Sequence, residues 1–335
     1  MAVTIRDVAA LAGVSPATVS RALNGDERVA AELRERVAVA VAKLGYRPNS
    51  QARSLRTRAT KVLGLIISDI QNPFFTALAR GVEDAASERD YSVVLANTDE
   101  SLDKELRYLE VAAAERMAGV ILSPSSTGAS RIDTLTDRGI PVVTIDRRLQ
   151  WAEVDSVTVN NRAAAEQAVE HLIAAGARRI AMITGPADAS TATSRRSGYR
   201  AALHDAGLER DPALEIRGDY RIEGGRAAAA ALLALPQPPD GLFVGNNLMM
   251  VGALDALARA GVRFPEDLLL AGFDEMSWSA FAPPITLVEQ PSYDIGRHAT
   301  ELLLRRVNGE EFPSQHIVLP AQLRIRESSR RAAVA

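Results

Sequence analysis

The sequence contains no cysteine among its 335 residues. This absence excludes both a disulfide framework and a metal site built from thiolates. Histidine is nearly as scarce, and none of its four occurrences stands at the spacing of a metal site: His171, His204, His298 and His316. We therefore expect a protein without a metal or other cofactor.

Long apolar runs are also missing, because no stretch approaches the ~18 residues that a membrane-spanning helix needs. The first residues lack the basic-then-apolar pattern of a signal peptide. We therefore expect a cytoplasmic protein with no membrane partner. Aromatic residues are few, at 4%, but 47% hydrophobic and 24% charged residues are typical of globular domains. The length allows two or three domains, each with its own core.

The net charge of −3 hides a marked asymmetry along the chain. Residues 1–61 carry 11 basic and 5 acidic side chains, a net charge of +6, and the remainder carries −9. A basic N-terminal arm on an acidic body favours polyanion binding by that arm. The alternative is an ordinary fluctuation among solvated surface charges.

Three helices are predicted within the first ~60 residues. The stretch TIRDVAALAG has apolar residues at helical spacing behind Thr4, a suitable N-cap, and Gly13 ends it. Ser15 followed by Pro16 is a cap with proline at the first helical position, and the second helix runs to about Leu23. A third helix spans about residues 30–44. Two short helices joined by a tight turn, with a third in support, form a helix-turn-helix module.

From Lys61 onward, short apolar runs alternate with amphipathic helical stretches. The runs are typical of buried strands: VLGLIIS, YSVVLA, GVILS, PVVTI, RRIAMIT, GLFVG and LLLAGF. The helical stretches between them are 73–89, 102–116, 130–138, 161–175, 194–206, 224–235 and 246–260. This alternation predicts an α/β fold with parallel sheets. The seven strands fall before and after about residue 160, which indicates two doubly wound lobes.

The second predicted helix, SPATVSRALN, has one side suited to a major groove. Val19, Ala22 and Leu23 share the core side, which leaves a narrow polar side with little bulk apart from Arg21. Arg21 can donate two hydrogen bonds to a guanine, and short hydroxyl side chains suit phosphate oxygens. The candidate DNA contacts of the module are Thr4, Ser15, Pro16, Ala17, Thr18, Ser20, Arg21 and Asn24. The alternative is an ordinary surface helix.

The stretch VTIRDVAALAGVSPATVSRALNG resembles the N-terminal signature of the lactose-repressor-type (LacI/GalR) family of bacterial transcription regulators. The resemblance continues through DIQNPFF, PVVTID, RRSGY, GNN, AGFDE and LVEQP, and it covers nearly the whole chain. It implies a helix-turn-helix domain (1–48), a hinge helix (49–60) and a two-lobed periplasmic-binding-protein-like core (61–335). The lobes would comprise about 61–160 with 291–322, and about 161–290 with 323–335. The family binds double-stranded operator DNA as dimers and responds to a small effector.

The segment NSQARSLRTRAT, residues 49–60, contains one large apolar residue, Leu55, among three arginines. Asn49 can cap a helix here, but about eight helical residues are only marginally stable alone in water. We expect the helix to form on DNA, with Leu55 wedged into a base step of the minor groove. Ala52 would allow close approach, and Arg53 would neutralise a phosphate. The alternative is a flexible linker with an incidental leucine.

Polar residues that directly follow strands are the candidates for an effector site, because ligands bind at the carboxyl ends of parallel strands. The positions that also match the family's effector contacts are Phe74, Phe75, Asp146, Arg195, Tyr220, Asn246 and Asp274. Carboxylates and a guanidinium can hold sugar hydroxyls, and aromatic rings can cover the sugar's apolar face. Helix caps, turns and core packing are the alternative roles. Many family members have Asn-Asp where this chain has Asn246-Asn247.

Two other functional classes fit the sequence poorly. A free sugar-binding protein would need an export signal and would not need the first 60 residues. An enzyme would need catalytic motifs, and neither GxSxG, a P-loop, GxGxxG after a strand nor HExxH occurs. We therefore expect a non-enzymatic regulator, most often a repressor in this family, that binds a palindromic operator. One helix-turn-helix reads few base pairs, so a homodimer is expected.

Overall fold

The computed structural model describes residues 3–23, 26, 28–46, 60–275 and 284–330. The chain divides into two compact units, Met1–Thr60 and Lys61–Ala335. Each unit is described by itself below. The candidate DNA contacts Asn24, Asn49, Ala52, Arg53 and Leu55 lie outside the described residues.

The first unit contains three helices: α1 (Ile5–Ala12), α2 (Pro16–Leu23) and α3 (Ala31–Leu44). The Asp7 carboxylate accepts a hydrogen bond from Thr4 N (2.8 Å) at the start of α1. Ser15 Oγ accepts from Thr18 N (3.1 Å) at the start of α2. Gly13 ends α1 with a left-handed φ of 64°, a conformation that glycine adopts without steric cost. The predicted helix-turn-helix fold is therefore confirmed.

The core of the first unit is small and consists of residues from all three helices. Val8 of α1, Val19 of α2 and Val37 of α3 are buried together. Ala22 and Leu23 are partly buried against this cluster, as the helical periodicity of α2 predicts. Arg36 of α3 donates a hydrogen bond to Ala12 O (2.6 Å), which satisfies a carbonyl at the C-terminus of α1. These contacts leave the opposite side of α2 exposed.

The second unit is a two-lobed α/β structure. Its strands are β1 (Val62–Ile67), β2 (Ser92–Asn97), β3 (Gly119–Leu122), β4 (Val142–Ile145), β5 (Asp155–Val159), β6 (Ile180–Thr184), β7 (Glu215–Arg217), β8 (Gly241–Val244), β9 (Leu269–Phe273), β10 (Thr286–Glu289), β11 (His316–Leu319) and β12 (Gln322–Arg324). Its helices are α4 (Pro73–Ser87), α5 (Leu102–Ala114), α6 (Asp133–Thr136), α7 (Asn161–Ala174), α8 (Ser190–Asp205), α9 (Ile222–Leu233), α10 (Asn247–Ala260) and α11 (Ser292–Val307).

The strands form two six-stranded sheets, one in each lobe. The N-lobe sheet has the order β11-β5-β4-β3-β1-β2, and the C-lobe sheet has the order β12-β10-β9-β8-β6-β7. The chain passes between the lobes after β5, after β10 and after β11. Each sheet is covered by helices, and the buried strand residues pack against them. The predicted pair of doubly wound lobes is confirmed.

Several details differ from the sequence-based expectation. The sequence predicts seven strands, whereas the described residues form twelve, because β5, β7, β10, β11 and β12 lack a long apolar run. β5 is buried although it begins with Asp155, because that carboxylate pairs with Arg306 (2.8 Å) of α11. The sheets are parallel as predicted except at one edge, where β12 runs antiparallel to β10.

Two helices also differ. α11 was not among the predicted helical stretches, and α8 begins at Ser190 rather than at residue 194. α11 packs against α4, where Gly296 lies so close that a Cβ there would come within 2.2 Å of Leu78 O. None of the described helices is long and apolar enough to cross a membrane.

Candidate effector-binding cleft

A cleft lies between the two lobes. Its walls are the loops that leave the carboxyl ends of the strands in both sheets. The structure brings together here all seven residues that the sequence singled out: Phe74, Phe75, Asp146, Arg195, Tyr220, Asn246 and Asp274. The strand-end rule for open α/β sheets explains this convergence, since each lobe contributes the same edge of its sheet.

Eight further residues line the cleft that the sequence analysis missed: Asp69, Asn72, Glu100, Arg147, Thr191, Asp219, Arg221 and Gln290. Four of them carried a usable signal, because they stand within two residues of a strand end: Asp69, Arg147, Asp219 and Gln290. The others reach the cleft from helix starts and turns. These residues do not follow a strand end closely, so their positions in the sequence gave no indication that they line the cleft.

The aromatic wall of the cleft is the start of α4. Phe74 and Phe75 are both buried and meet edge to face, with ring centroids 5.0 Å apart. Asn72 caps this helix, because its Oδ1 accepts from Phe74 N (2.9 Å). On the C-lobe side, Tyr220 Oη is 3.0 Å from Thr191 Oγ1. Rigid rings are thus held at the edge of the cleft in both lobes.

Arg195 is a buried cation of the C-lobe with several fixed contacts. It donates from Nε to Asn161 Oδ1 (2.7 Å) and from Nη1 to Gly245 O (2.6 Å). Its guanidinium lies 3.6 Å from the centre of the Phe273 ring. These contacts hold the charge beside Asp274, whose Oδ2 is 3.9 Å from Nη1. Arg195 lies in the second turn of α8 rather than at its start.

Arg147 is the corresponding cation of the N-lobe, and it is 2% exposed. Its two terminal nitrogens each donate to a different oxygen of Glu100 at 2.7 Å, a bidentate ion pair. Nη1 also donates to Pro124 O (3.0 Å). Its Nε, in contrast, has no hydrogen-bond partner among the described residues, although Asp146 Oδ2 is 3.4 Å away. A buried donor without a partner is costly, and a ligand oxygen would satisfy it.

Two cleft carboxylates have raised pKa values. Burial raises the pKa of Asp146 to about 6, against the opposing effect of the nearby Arg147 and Arg195 guanidinium groups. Burial also raises the pKa of Asp274, while Arg195 and the amide of Gln290 act in the opposite direction. Gln290 donates from Nε2 to Asp274 Oδ1. Both carboxylates are therefore poorly solvated acceptors, which favours hydrogen bonding to a ligand hydroxyl.

Asn246 both caps a helix and lines the cleft. Its Oδ1 accepts from Met249 N (2.9 Å) and so caps α10. Its Nδ2 is 3.3 Å from Tyr220 O, and the residue also lines the cleft. The cap fixes the orientation of the amide, because a backbone N–H can only meet the oxygen.

The candidate DNA-contacting residues of the first unit divide by exposure. Ala17 and Arg21 of α2 are exposed, as are Thr4, Ser15 and Pro16, while Thr18 and Ser20 are half-buried. Thr4 and Ser15 both take part in helix capping. Among the described residues of both units, no cluster of three or more metal-ligating side chains occurs.

Both units match models of known families. Residues 4–49 match the bacterial regulatory proteins of the lacI family, and residues 60–327 match the periplasmic binding proteins and sugar binding domain of the LacI family. The ribose operon repressor of Halalkalibacterium halodurans is 37% identical over 328 residues, 98% of this chain and 97% of that protein. Catabolite control protein A of Priestia megaterium is 36% identical over 332 residues, 98% of this chain and 100% of that protein.

A solved structure is similar over nearly the whole chain. The lac repressor dimer bound to operator and the anti-inducer ONPF matches with a TM-score of 0.87 and 26% identity, covering 99% of this chain and 100% of that one. The two family models together cover both units. The two relatives are regulators by name, and this chain matches them over nearly their whole length. The chain therefore belongs to the LacI family of bacterial transcription regulators.

Proposed function

We propose that this regulator is a repressor that binds an inverted-repeat operator as a homodimer and is released from it by a neutral sugar of about pentose size. The sugar occupies the cleft between the lobes, where the seven residues predicted from the sequence bind it. The protein acts in the cytoplasm and catalyses no reaction on its ligand. The related ribose operon repressor supports ribose as the first sugar to test.

The observation that carries the effector assignment is Arg147, a buried guanidinium whose Nε lacks a partner among the described residues. A ring hydroxyl can accept from Nε and donate its own proton to Asp146. Arg195 and Asp274 form a second pair of donor and acceptor on the opposite lobe. Sugars present adjacent hydroxyls that both donate and accept, and such paired contacts suit them. The two phenylalanine rings cover the apolar face of the sugar.

The charge of the cleft favours a neutral ligand over a sugar acid or sugar phosphate. Five carboxylates line it, against three guanidinium groups: Asp69, Glu100, Asp146, Asp219 and Asp274 against Arg147, Arg195 and Arg221. Glu100 and Arg147 already neutralise each other. The remaining excess of negative charge would repel an anion in a poorly solvated site.

The DNA-binding surface is the exposed side of α2. Arg21 reads a guanine in the major groove, and Pro16 and Ala17 contact thymine methyl groups. Thr4, Ser15, Thr18, Ser20 and Asn24 bind phosphates or bases beside them. The hinge residues Asn49, Ala52, Arg53 and Leu55 bind the minor groove between the two half-sites. This role is supported by their sequence, since they lie outside the described residues.

The dimer surface is the outer edge of the N-lobe sheet together with α5. Val94 (48% exposed) and Leu95 belong to β2, the edge strand, and Leu106 (47%) and Val111 (50%) belong to α5. An open sheet edge with exposed apolar side chains is a typical protein-binding surface. A second copy of the chain covers this surface and places two helix-turn-helix modules on one palindrome.

The test combines ligand binding with operator release. Purified protein is titrated with D-ribose, other pentoses, hexoses, ribose 5-phosphate and nucleosides, and thermal shift and operator binding are measured. We expect a neutral pentose to raise the melting temperature and to weaken operator binding. The isosteric variant Asp274→Asn should lower sugar affinity by about tenfold or more, and Arg195→Ala by more, since each removes charge-assisted hydrogen bonds.

The matched control is Arg196→Ala, which removes the neighbouring cation of the same helix without altering a cleft residue. It should bind the sugar like the parent. Sugar binding that survives both Asp274→Asn and Arg195→Ala would contradict the assignment of the cleft. A response to ribose 5-phosphate alone would contradict the neutral class of ligand.

A further inference from the structure

The two lobes are joined inside the cleft by a direct contact between two asparagines. Asn247, the first residue of α10 in the C-lobe, donates from Nδ2 to Asn72 Oδ1 (2.8 Å) in the N-lobe. Asn247 is fully buried and Asn72 is 8% exposed. The interlobe ion pair between Arg221 and Asp99 (3.2 Å) differs, because both of its side chains are well exposed to solvent. Solvent therefore competes less for the asparagine hydrogen bond than for this ion pair, and Thr127 makes further interlobe hydrogen bonds to Asp188 and Ser190.

The direction of this hydrogen bond is fixed by the backbone on both sides. Asn72 Oδ1 also accepts from Phe74 N (2.9 Å), so the atom that faces Asn247 must be the oxygen. Asn247 Oδ1 accepts from Leu248 N (2.8 Å), so the atom that faces Asn72 must be the amide nitrogen. In this hydrogen bond, Asn72 can therefore only accept and Asn247 can only donate. An aspartate at 72 could keep this contact, whereas an ionised aspartate at 247 could not.

The contact also connects the starts of two helices that form opposite walls of the cleft. Asn72 caps α4, which carries Phe74 and Phe75, and Asn247 follows Asn246, the cap of α10. The hydrogen bond therefore lies between the aromatic wall and Asn246, both of which line the cleft.

We propose that Asn247 is an interlobe latch residue, which holds the closed arrangement of the lobes by donating to Asn72 and positions the two cleft walls for the effector. Its role requires a neutral amide at position 247, because only the amide nitrogen can donate to Asn72 Oδ1. The effector part of this inference rests on the proposed function, while the closure part does not. Asn247 itself is a positioning residue and need not touch the ligand.

The test exchanges amide for carboxylate at each partner, a change of nearly identical shape. Asn247→Asp removes the donor and sets a charged acceptor against an acceptor, so the closed state should be depleted and sugar affinity should fall by about tenfold. Asn72→Asp retains an acceptor for both Phe74 N and Asn247, so closure should stay at the parent level. The double variant, with two facing carboxylates, should be the most open. The two variants should thus respond differently to the same chemical change. Side chains that only fill space would respond alike.

Lobe closure can be measured without any ligand. The chain has no cysteine, so Ala77→Cys on α4 and Ala227→Cys on α9, both exposed, introduce unique labelling sites in the two lobes. Spin-label distances are recorded in protein diluted with unlabelled chain, which isolates distances within one subunit. Asn160→Asp is the matched control, because Asn160 caps α7 from an exposed position and aspartate caps equally well.

The outcomes separate this inference from the proposed function. A wider distance distribution in Asn247→Asp but not in Asn72→Asp or Asn160→Asp supports the latch. Closure that is unchanged in Asn247→Asp, or lost equally in Asn247→Asp and Asn72→Asp, overturns it. If the parent binds no neutral sugar, the proposed function fails, and the label distances still decide on the latch.

Discussion

Four residues of the cleft have left-handed backbone conformations: Glu100, Asp146, Tyr220 and Asp274, with φ of 60°, 63°, 64° and 74°. A residue with a Cβ is strained there, at a cost of about 1 kcal/mol or more each. Asp146 and Asp274 directly follow β4 and β9, and the turn of the backbone sends each carboxylate into the cleft instead of continuing the strand. Strain is thus concentrated where the ligand would bind, and the surrounding sheets are stable enough to impose it.

Because the pKa of Asp146 is raised to about 6, we expect the stability of the folded protein to depend on pH. Because the folded protein binds this proton more tightly than the unfolded chain, ionisation of Asp146 destabilises the fold as pH rises from about 4 through 6. Asp146→Asn removes this cost, which is on the order of 3 kcal/mol. The variant should therefore have the higher melting temperature at pH 7.5, little advantage at pH 4, and weakened sugar binding.

The measurement is thermal unfolding of the ligand-free parent and variant across this pH range. Asp219→Asn is the control, because Asp219 also lines the cleft but is exposed to solvent, unlike Asp146. A variant less stable than the parent at pH 7.5 would show that the Asp146 charge is compensated by Arg147 and Arg195 after all.

At the scale of elements, strands that are continuous apolar runs were predicted well, and strands without such a run were not. β3, β4, β8 and β9 are buried on both faces and are continuous apolar runs, so their sequence is sufficient. The edge strands β11 and β12 alternate between exposed and half-buried residues and are only four and three residues long. Such segments become strands only because a neighbouring strand is there to pair with.

The exposed surface of β2 and α5 gives a prediction about assembly. Leu106→Glu places a charge in the proposed dimer surface, and like charges from two subunits would then face each other in an apolar contact. We expect the dimer to dissociate at least tenfold more readily, since burying an unpaired carboxylate is costly. Sedimentation equilibrium measures the change, and operator affinity should fall with it.

Val318→Lys provides the matched control. Val318 is 58% exposed on β11, the opposite edge strand of the same sheet. It should leave the dimer intact. If Val318→Lys dissociates the dimer and Leu106→Glu does not, the dimer surface has been assigned to the wrong edge.

At the scale of the whole molecule, the chain consists of a small three-helix unit and a large two-lobed unit. Regulation requires that sugar binding in the second unit changes DNA binding by the first. A coupling free energy of about 1–3 kcal/mol, a 5- to 150-fold change in affinity, is enough. The segment 49–59 connects the units in sequence, and it lies outside the described residues.

The prediction at this scale concerns Leu55, the only large apolar residue of that segment. If its side chain unstacks a base step, Leu55→Ala should weaken operator binding by up to a few kcal/mol, because the minor-groove wedge is lost. Sugar affinity, measured by calorimetry, should stay at the parent value. Arg58→Ala, which removes a cation from the same segment, should instead reduce mainly the salt dependence of binding. A Leu55→Ala protein that binds operator like the parent would exclude the wedge.

The sequence by itself determined the helix-turn-helix unit, the alternation of strands and helices and the seven candidate residues of the cleft. Each of these depends on patterns within a few residues of the chain, such as helical periodicity, caps and buried apolar runs. Only the tertiary structure decided that β11 and β12 join different sheets, that Glu100 holds Arg147, and that Asn247 meets Asn72. Asn72 and Asn247 are 175 positions apart, and no local pattern records which distant groups the folded chain brings within hydrogen-bonding distance.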